Sequence, residues 1–320
     1  MQAPALVAHA DWSTTPKKRA WAVAERVTTG RYRVTMPPVP KGTRVVAAAS
    51  ELAGGGPALL GFDFPIGLPA AFARRAEIEA FKPWLAALPD EVWVRFCVPA
   101  LRREDIGLGR PFYPYGSKGA TQGHLVQAIG VPQLTALLRR CEWATMHRSA
   151  ASCLFWTLGA KQCGRAALAG WHEVIRPAVR SRDENITLWP FDGDLEMLLD
   201  RSRVVVAETY PADACHQLGL SPPIVKSRQE GRQRHATAIL GIAESSDLDL
   251  EPALEEAVRA GFGAEPTAQD RFDAMVGLLA MLQVVRGGRA AGAPADPTIR
   301  CLEGWIMGLD AASLRSPRLA

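Results

Sequence analysis

The chain has 320 residues, 48% of them hydrophobic, enough to bury one large core or two ordinary ones. Its 37 Lys+Arg against 33 Asp+Glu leave a formal charge of +4, too mild for composition alone to signal nucleic acid, although a local basic patch stays open. No window approaches the roughly 18 uninterrupted apolar residues of a membrane span. No basic-then-apolar leader opens the chain, and six scattered cysteines form no Cys-x-x-Cys pair, so a reduced, cytoplasmic protein is expected.

In chain order, residues 5–11 read as a strand closing on Asp11, followed by strands at 19–27 and 32–36 with turn residues between them, which forces antiparallel neighbours. Residues 43–52 read as a short amphipathic helix stopped by Gly54-Gly55-Gly56. The apolar run 58–62 then gives a strand ending at Asp63, parallel to an earlier one because a helical crossover precedes it. Residues 64–203 are longer than this layout needs. They carry helical patterns at 70–85, 132–144 and 161–175 around a Gly/Tyr/Pro loop at 112–119, and read as a large, mainly helical insertion between the fourth and fifth strands of a single domain spanning 1–320. A fifth strand at 203–209 carries Glu208, followed by helical patterns at 211–218, 228–244, 251–260 and 267–285, a Gly/Ala/Pro stretch, and a terminal helix or turn at 300–308.

Acidic residues close these elements: Asp11, Asp63 and Glu208 end strands, and Asp270 with Asp273 opens the late helix. Carboxylates are expensive to bury singly, so several gathered at one sheet edge suit a hard divalent cation. Asp270 and Asp273, at i and i+3, share one helix face. Each acid also has a plainer reading: a first-turn pair favoured by the helix dipole for Asp270 and Asp273, a turn cap for Asp63, and a helix cap or arginine partner for Glu208.

The order strand, strand, strand, helix, strand, helix, strand, helix resembles the ribonuclease H fold. The segments His9-Ala10-Asp11-Trp12-Ser13, Gly61-Phe62-Asp63-Phe64-Pro65-Ile66-Gly67-Leu68-Pro69, Glu208-Thr209-Tyr210-Pro211 and Asp270-Arg271-Phe272-Asp273-Ala274 resemble the DUF429 family of predicted nucleases. So do Phe155-Trp156-Thr157-Leu158-Gly159 and Gly170-Trp171-His172-Glu173-Val174-Ile175-Arg176-Pro177-Ala178 within the insertion, and the likeness runs from about residue 6 to 309. This resemblance implies an α/β fold with a ribonuclease H-like mixed five-stranded sheet flanked by helices. It also implies a nuclease using Mg²⁺ or Mn²⁺, with nucleic acid as substrate. Under two-metal chemistry Asp11 would bridge two ions about 3.5 to 4 Å apart, with Asp63 and Glu208, or Asp270 and Asp273, holding one each. A noncatalytic binding or regulatory protein on the same fold, and a nucleotide phosphohydrolase, are the alternatives.

Among the basic residues, Lys226 downstream of the Glu208 strand is a candidate phosphate contact. Lys118 is a second, in the polar loop Ser117-Lys118-Gly119-Ala120-Thr121-Gln122-Gly123-His124, which lacks the phosphate-loop pattern. The basic groups Arg74-Arg75, Arg102-Arg103, Arg139-Arg140 and 228–235 read as solvated faces, and Trp156, Trp171 and Trp189 as core. His9 shares a strand face with Asp11 and is read as core, with support of the site as the other reading.

Overall fold

The computed structural model describes residues 3–116, 118–158, 163–181, 185–220 and 225–316. Ser117 of the polar loop, Gly159, and Lys161 and Gln162 at the start of the expected 161–175 helix lie outside the described residues. The chain divides into two compact units. One holds residues 1–63, 184–292 and 306–308, and the other holds 64–183, 293–305 and 309–320. The second unit ends at 183 in its first stretch and takes in two pieces of the C-terminal region.

In chain order the strands are β1 (Leu6–Asp11), β2 (Ala20–Thr28), β3 (Arg31–Thr35), β4 (Ala58–Phe62), β5 (Ala144–Thr145), β6 (Ile186–Leu188), β7 (Val204–Glu208), β8 (Leu248–Leu250) and β9 (Leu314–Arg315). Seven form the mixed sheet of the first unit, in the order β6-β7-β4-β1-β2-β3-β8, with β2 alone running against the rest. The expected five strands are thus seven. The two additions, β6 and β8, are three residues each at the sheet edges, too short to show a period-two pattern.

The three central parallel strands are continuous apolar runs because both their faces are covered: Leu6 to Ala10, Ala58 to Phe62 and Val204 to Ala207 are all buried. The Thr29-Gly30 connection, with Gly30 at φ +83°, turns β2 back along β3. The helix Val45–Leu52 lies against β1, β4 and β7 and ends before Gly54 at φ +58°, after which the chain returns parallel to β1. The long helix Ala268–Val285 is buried around nearly its whole circumference and packs on β1 and β2, which explains why its sequence lacks a polar stripe.

The second unit has an aromatic core in which Phe72, Phe112 and Phe155 meet at centroid distances of 4.5 and 5.2 Å. The expected helix 70–85 is two helices, Ala70–Arg75 and Phe81–Ala87, interrupted where Glu77 takes φ +52°. Helices Asp90–Cys97 and Gln122–Ile129 were not expected. The expected helix 132–144 is absent: Leu134–Leu137 and Arg140–Glu142 are single tight turns, with Leu138 and Arg139 extended between them. Tertiary bonding overrides propensity there. Arg139 is fully buried, pairs with Glu142 at 2.8 Å, and donates to the carbonyls of Ile66 (3.3 Å) and Glu303 (3.0 Å), a set an unbroken helix would not present.

Candidate carboxylate site at the sheet edge

Parallel pairing sets His9 of β1 opposite Gly61 of β4 and Ala10 opposite Phe62, so Asp11 and Asp63 stand side by side where the two strands end. By pleat alternation His9, Asp11, Gly61 and Asp63 face one side of the sheet, the side covered by the long helix. Two glycines bring that helix close. A Cβ at Gly61 would lie 2.3 Å from the Met281 sulfur, and one at Gly277 would lie 2.3 Å from the His9 ring. Met281, Gly277 and Asp273 follow one another at i, i+4 spacing, so the packing that seats the first two on the strands carries Asp273, and Asp270 before it, to the strand ends.

His9 fixes this register. Its Nδ1 lies 3.2 Å from the carbonyl of Ala274 and its Nε2 lies 2.6 Å from the Thr209 hydroxyl. A carbonyl can only accept, so Nδ1 carries the proton and Nε2 accepts from Thr209. Burial drives the His9 pKa down to about 4, with the Ala274 bond opposing, and the ring stays neutral at physiological pH. One side chain thereby crosslinks β1, the long helix and the residue after β7.

Burial raises the pKa of all four aspartates, and neighbouring carboxylates add to it for three of them. Asp11 lies well above the carboxylate range, first through burial and then through the charges of Asp63, Asp273 and Asp270, and it donates a hydrogen bond to Asp63. Burial pushes Asp63 up to about 7; its bond from the Trp12 backbone N–H at 2.7 Å opposes this, while Asp273 adds to it. Asp270 rises to about 6 through burial and the Asp273 charge, opposed by Lys18 and Lys226. Asp273 is only 4% exposed and is raised by burial, with Lys226 opposing. The Lys226 ammonium sits 2.8 and 2.7 Å from the two Asp273 oxygens. Burial works against that ammonium, yet Asp273 outweighs it and holds the Lys226 pKa above its ordinary value. Asp273 is therefore the member of the cluster that is paired with a cation.

Of the other residues singled out from sequence, Glu208 is buried at the end of β7 but in register with Phe62, and so by alternation on the sheet face opposite Asp11 and Asp63. Its carbonyl accepts from the Met307 N–H at 2.8 Å. The acids whose charges act on Asp11 are Asp63, Asp273 and Asp270. Lys226, read as a phosphate contact, is bonded to the Asp273 carboxylate. Lys118 is exposed in the second unit. Arg139 and Arg232 are not solvated but buried, Trp171 and Trp189 are core, and Trp156 is half-buried edge-on to Tyr113. All six cysteines are free thiols, and burial pushes Cys97, Cys153 and Cys215 up to about 12, so none of these three is a nucleophile at neutral pH.

Residues whose part in the site sequence reading did not assign are Lys18, whose charge acts on Asp270; Trp12, whose N–H holds Asp63; and Arg232, which donates to the carbonyls of Lys226, Gly261 (2.7 Å) and Gly263 (2.6 Å). No sequence signal marks the last two, because backbone groups supply the bonds.

Among the described residues, no group of three His, Cys, Asp or Glu side chains is set as a metal-ligand shell. The donor chemistry nonetheless fits a hard divalent cation: the oxygens are carboxylate, and Asp270 Oδ2 is buried with no hydrogen-bond partner among the described residues. Asp11, Asp63 and Asp270 are the residues that would hold one, with the hydrogen bond between Asp11 and Asp63 given up. No helix among the described residues is long and apolar enough to cross a membrane. Comparison with family models, with curated proteins and with solved structures finds no match to the chain.

Proposed function

We propose that the first unit is a divalent-metal-dependent nuclease of ribonuclease H-like topology, hydrolysing phosphodiester bonds of nucleic acid. The topology is supported by the inner strand order β3-β2-β1-β4-β7 with β2 alone reversed, which is consistent with the resemblance to the DUF429 family of predicted nucleases. The observation that carries the function is the convergence of Asp11, Asp63, Asp270 and Asp273 from three separate elements at one sheet edge, each with its pKa raised from the ordinary value. Groups that resist ionising side by side ionise together when a cation is shared among them.

A bound Mg²⁺ or Mn²⁺ supplies polarisation of a phosphoryl oxygen and a more acidic attacking water. Of the chain's own residues, Asp11, Asp63 and Asp270 present the hard oxygens, and the Trp12 N–H fixes the Asp63 carboxyl. This set leaves out Glu208, whose register with Phe62 puts it on the other sheet face by alternation. Lys18, whose charge acts on Asp270, is the proposed phosphate contact.

The test is cleavage of branched, single-stranded and hybrid nucleic acids with Mn²⁺, Mg²⁺ or chelator, alongside Mn²⁺ calorimetry. Cutting is expected only with the divalent ion. Asp11→Asn should lower it by about 100-fold or more, as loss of a charge-stabilising group does, and should abolish Mn²⁺ binding in a protein that still unfolds cooperatively. Unchanged Mn²⁺ affinity in that variant, or cutting in chelator, would overturn the assignment.

A further inference from the structure

Lys226 is built into the carboxylate site rather than draped across it. Its ammonium takes both oxygens of Asp273, and only 27% of its side chain is exposed against 6% for Asp273. The backbone around it is fixed from below. Buried Arg232 donates to the Lys226 carbonyl while its remaining donors hold Gly261 and Gly263. A Cβ at Gly231 would lie 2.2 Å from the Val225 oxygen, so the helix Gln229–Gln233 approaches this segment as closely as a backbone can. A lysine that merely swept up phosphates would need neither a bidentate carboxylate nor a clamped main chain.

We propose that Lys226 is a resident cation that takes the place of one of the two metal ions a carboxylate site of this kind otherwise recruits, so that the protein binds a single divalent ion. This rests on the metal-dependent reading above. A second divalent ion at Asp273 would have to displace an ammonium already bonded to both oxygens, and would then leave that ammonium beside a doubly charged neighbour. Among the described residues, Asp11, Asp63 and Asp270, which would hold the first ion, have no ammonium bonded to both oxygens of one carboxylate. In the working enzyme the ammonium places fixed positive charge at the edge where the phosphate must lie, as a point charge rather than a planar clamp. Lys226 is thus a positioning and charge-supplying residue, and Arg232 the residue that aims it.

The experiment counts ions on the full chain in the absence of nucleic acid, by Mn²⁺ calorimetry and by electron paramagnetic resonance, which separates an isolated Mn²⁺ from a spin-coupled pair. The native protein is expected to bind one uncoupled Mn²⁺, Lys226→Met to bind two with a coupled signal, and Lys226→Arg to stay at one. Two coupled ions in the native protein would overturn the proposal while leaving the metal-dependent reading intact, as would one ion in Lys226→Met. No Mn²⁺ on either protein would overturn both. The native spectrum decides the matter even where the methionine variant fails to fold.

Discussion

Asp63 shows how far one residue's chemistry departs from its sequence letter. Its ordinary carboxyl titrates near 3.8, whereas burial in the folded site raises it to about 7. The folded chain therefore holds this proton more tightly than the unfolded chain does. The resulting stability is fully present below the ordinary value and is lost as pH rises from about 4 through about 7. Without divalent metal, Asp63→Asn should be more stable than the native protein at pH 8 by on the order of 2–4 kcal/mol, and by much less at pH 5. Urea denaturation in chelator at both pH values measures this. An equal effect at the two pH values would mean that the carboxylate ionises without penalty, and the raised cluster would lose its basis. His9 runs the other way: its depressed pKa opposes protonation of the fold, so its contribution is complete above about 6.5 and declines toward about 4.

At the scale of elements, the long helix Ala268–Val285 matters less for its length than for where two glycines let it sit. Gly277→Ala would gain helix propensity of about 1 kcal/mol but drive a Cβ into the His9 ring at 2.3 Å, for an expected net loss of about 1–3 kcal/mol. Because Asp273 lies one turn away, the displaced helix should also weaken Mn²⁺ binding. Gly241, in the helix Ala236–Ser245, meets nothing within 4 Å, so Gly241→Ala should stabilise by up to about 1 kcal/mol and leave Mn²⁺ affinity untouched. Thermal melts and Mn²⁺ titration of the pair separate close approach from propensity. Equal effects of the two substitutions would refute the packing argument.

For the whole molecule, the division into two units places distant parts of the chain together. In the second unit Arg139 joins the carbonyls of Ile66 and Glu303 to Glu142, while the Glu303 carboxylate accepts the N–H groups of Ala70 (3.1 Å) and Arg140 (2.8 Å). Residues 293–305 are thereby secured to that unit by polar bonds as well as apolar packing. Arg139→Met strands Glu142 in the interior, and should lower stability by about 3–5 kcal/mol, the usual penalty for one half of a buried pair. Replacing both partners, Arg139→Met with Glu142→Leu, should recover part of it. Denaturation followed by tryptophan fluorescence reads the difference, and a loss under 1 kcal/mol in the single variant would show that the pair holds nothing in place.

The sequence by itself determined the elements whose patterns are long and one-sided: the apolar strands closing on Asp11, Asp63 and Glu208, the crossover helix behind Gly54, and the acidic start of the helix at 268. Apolar runs and turn residues are local, so they are written in the order of the letters. Tertiary structure alone decided the rest. The three-residue strands β6 and β8 exist only because neighbours offer unpaired backbone, and the expected helix at 132–144 yields to the buried Arg139. Which acids meet is decided by pleat and register: the single residue step between Glu208 and Thr209 sends the glutamate to one sheet face and the threonine to His9 on the other. The bond of Lys226 to Asp273 spans 47 positions, a separation that no local pattern encodes.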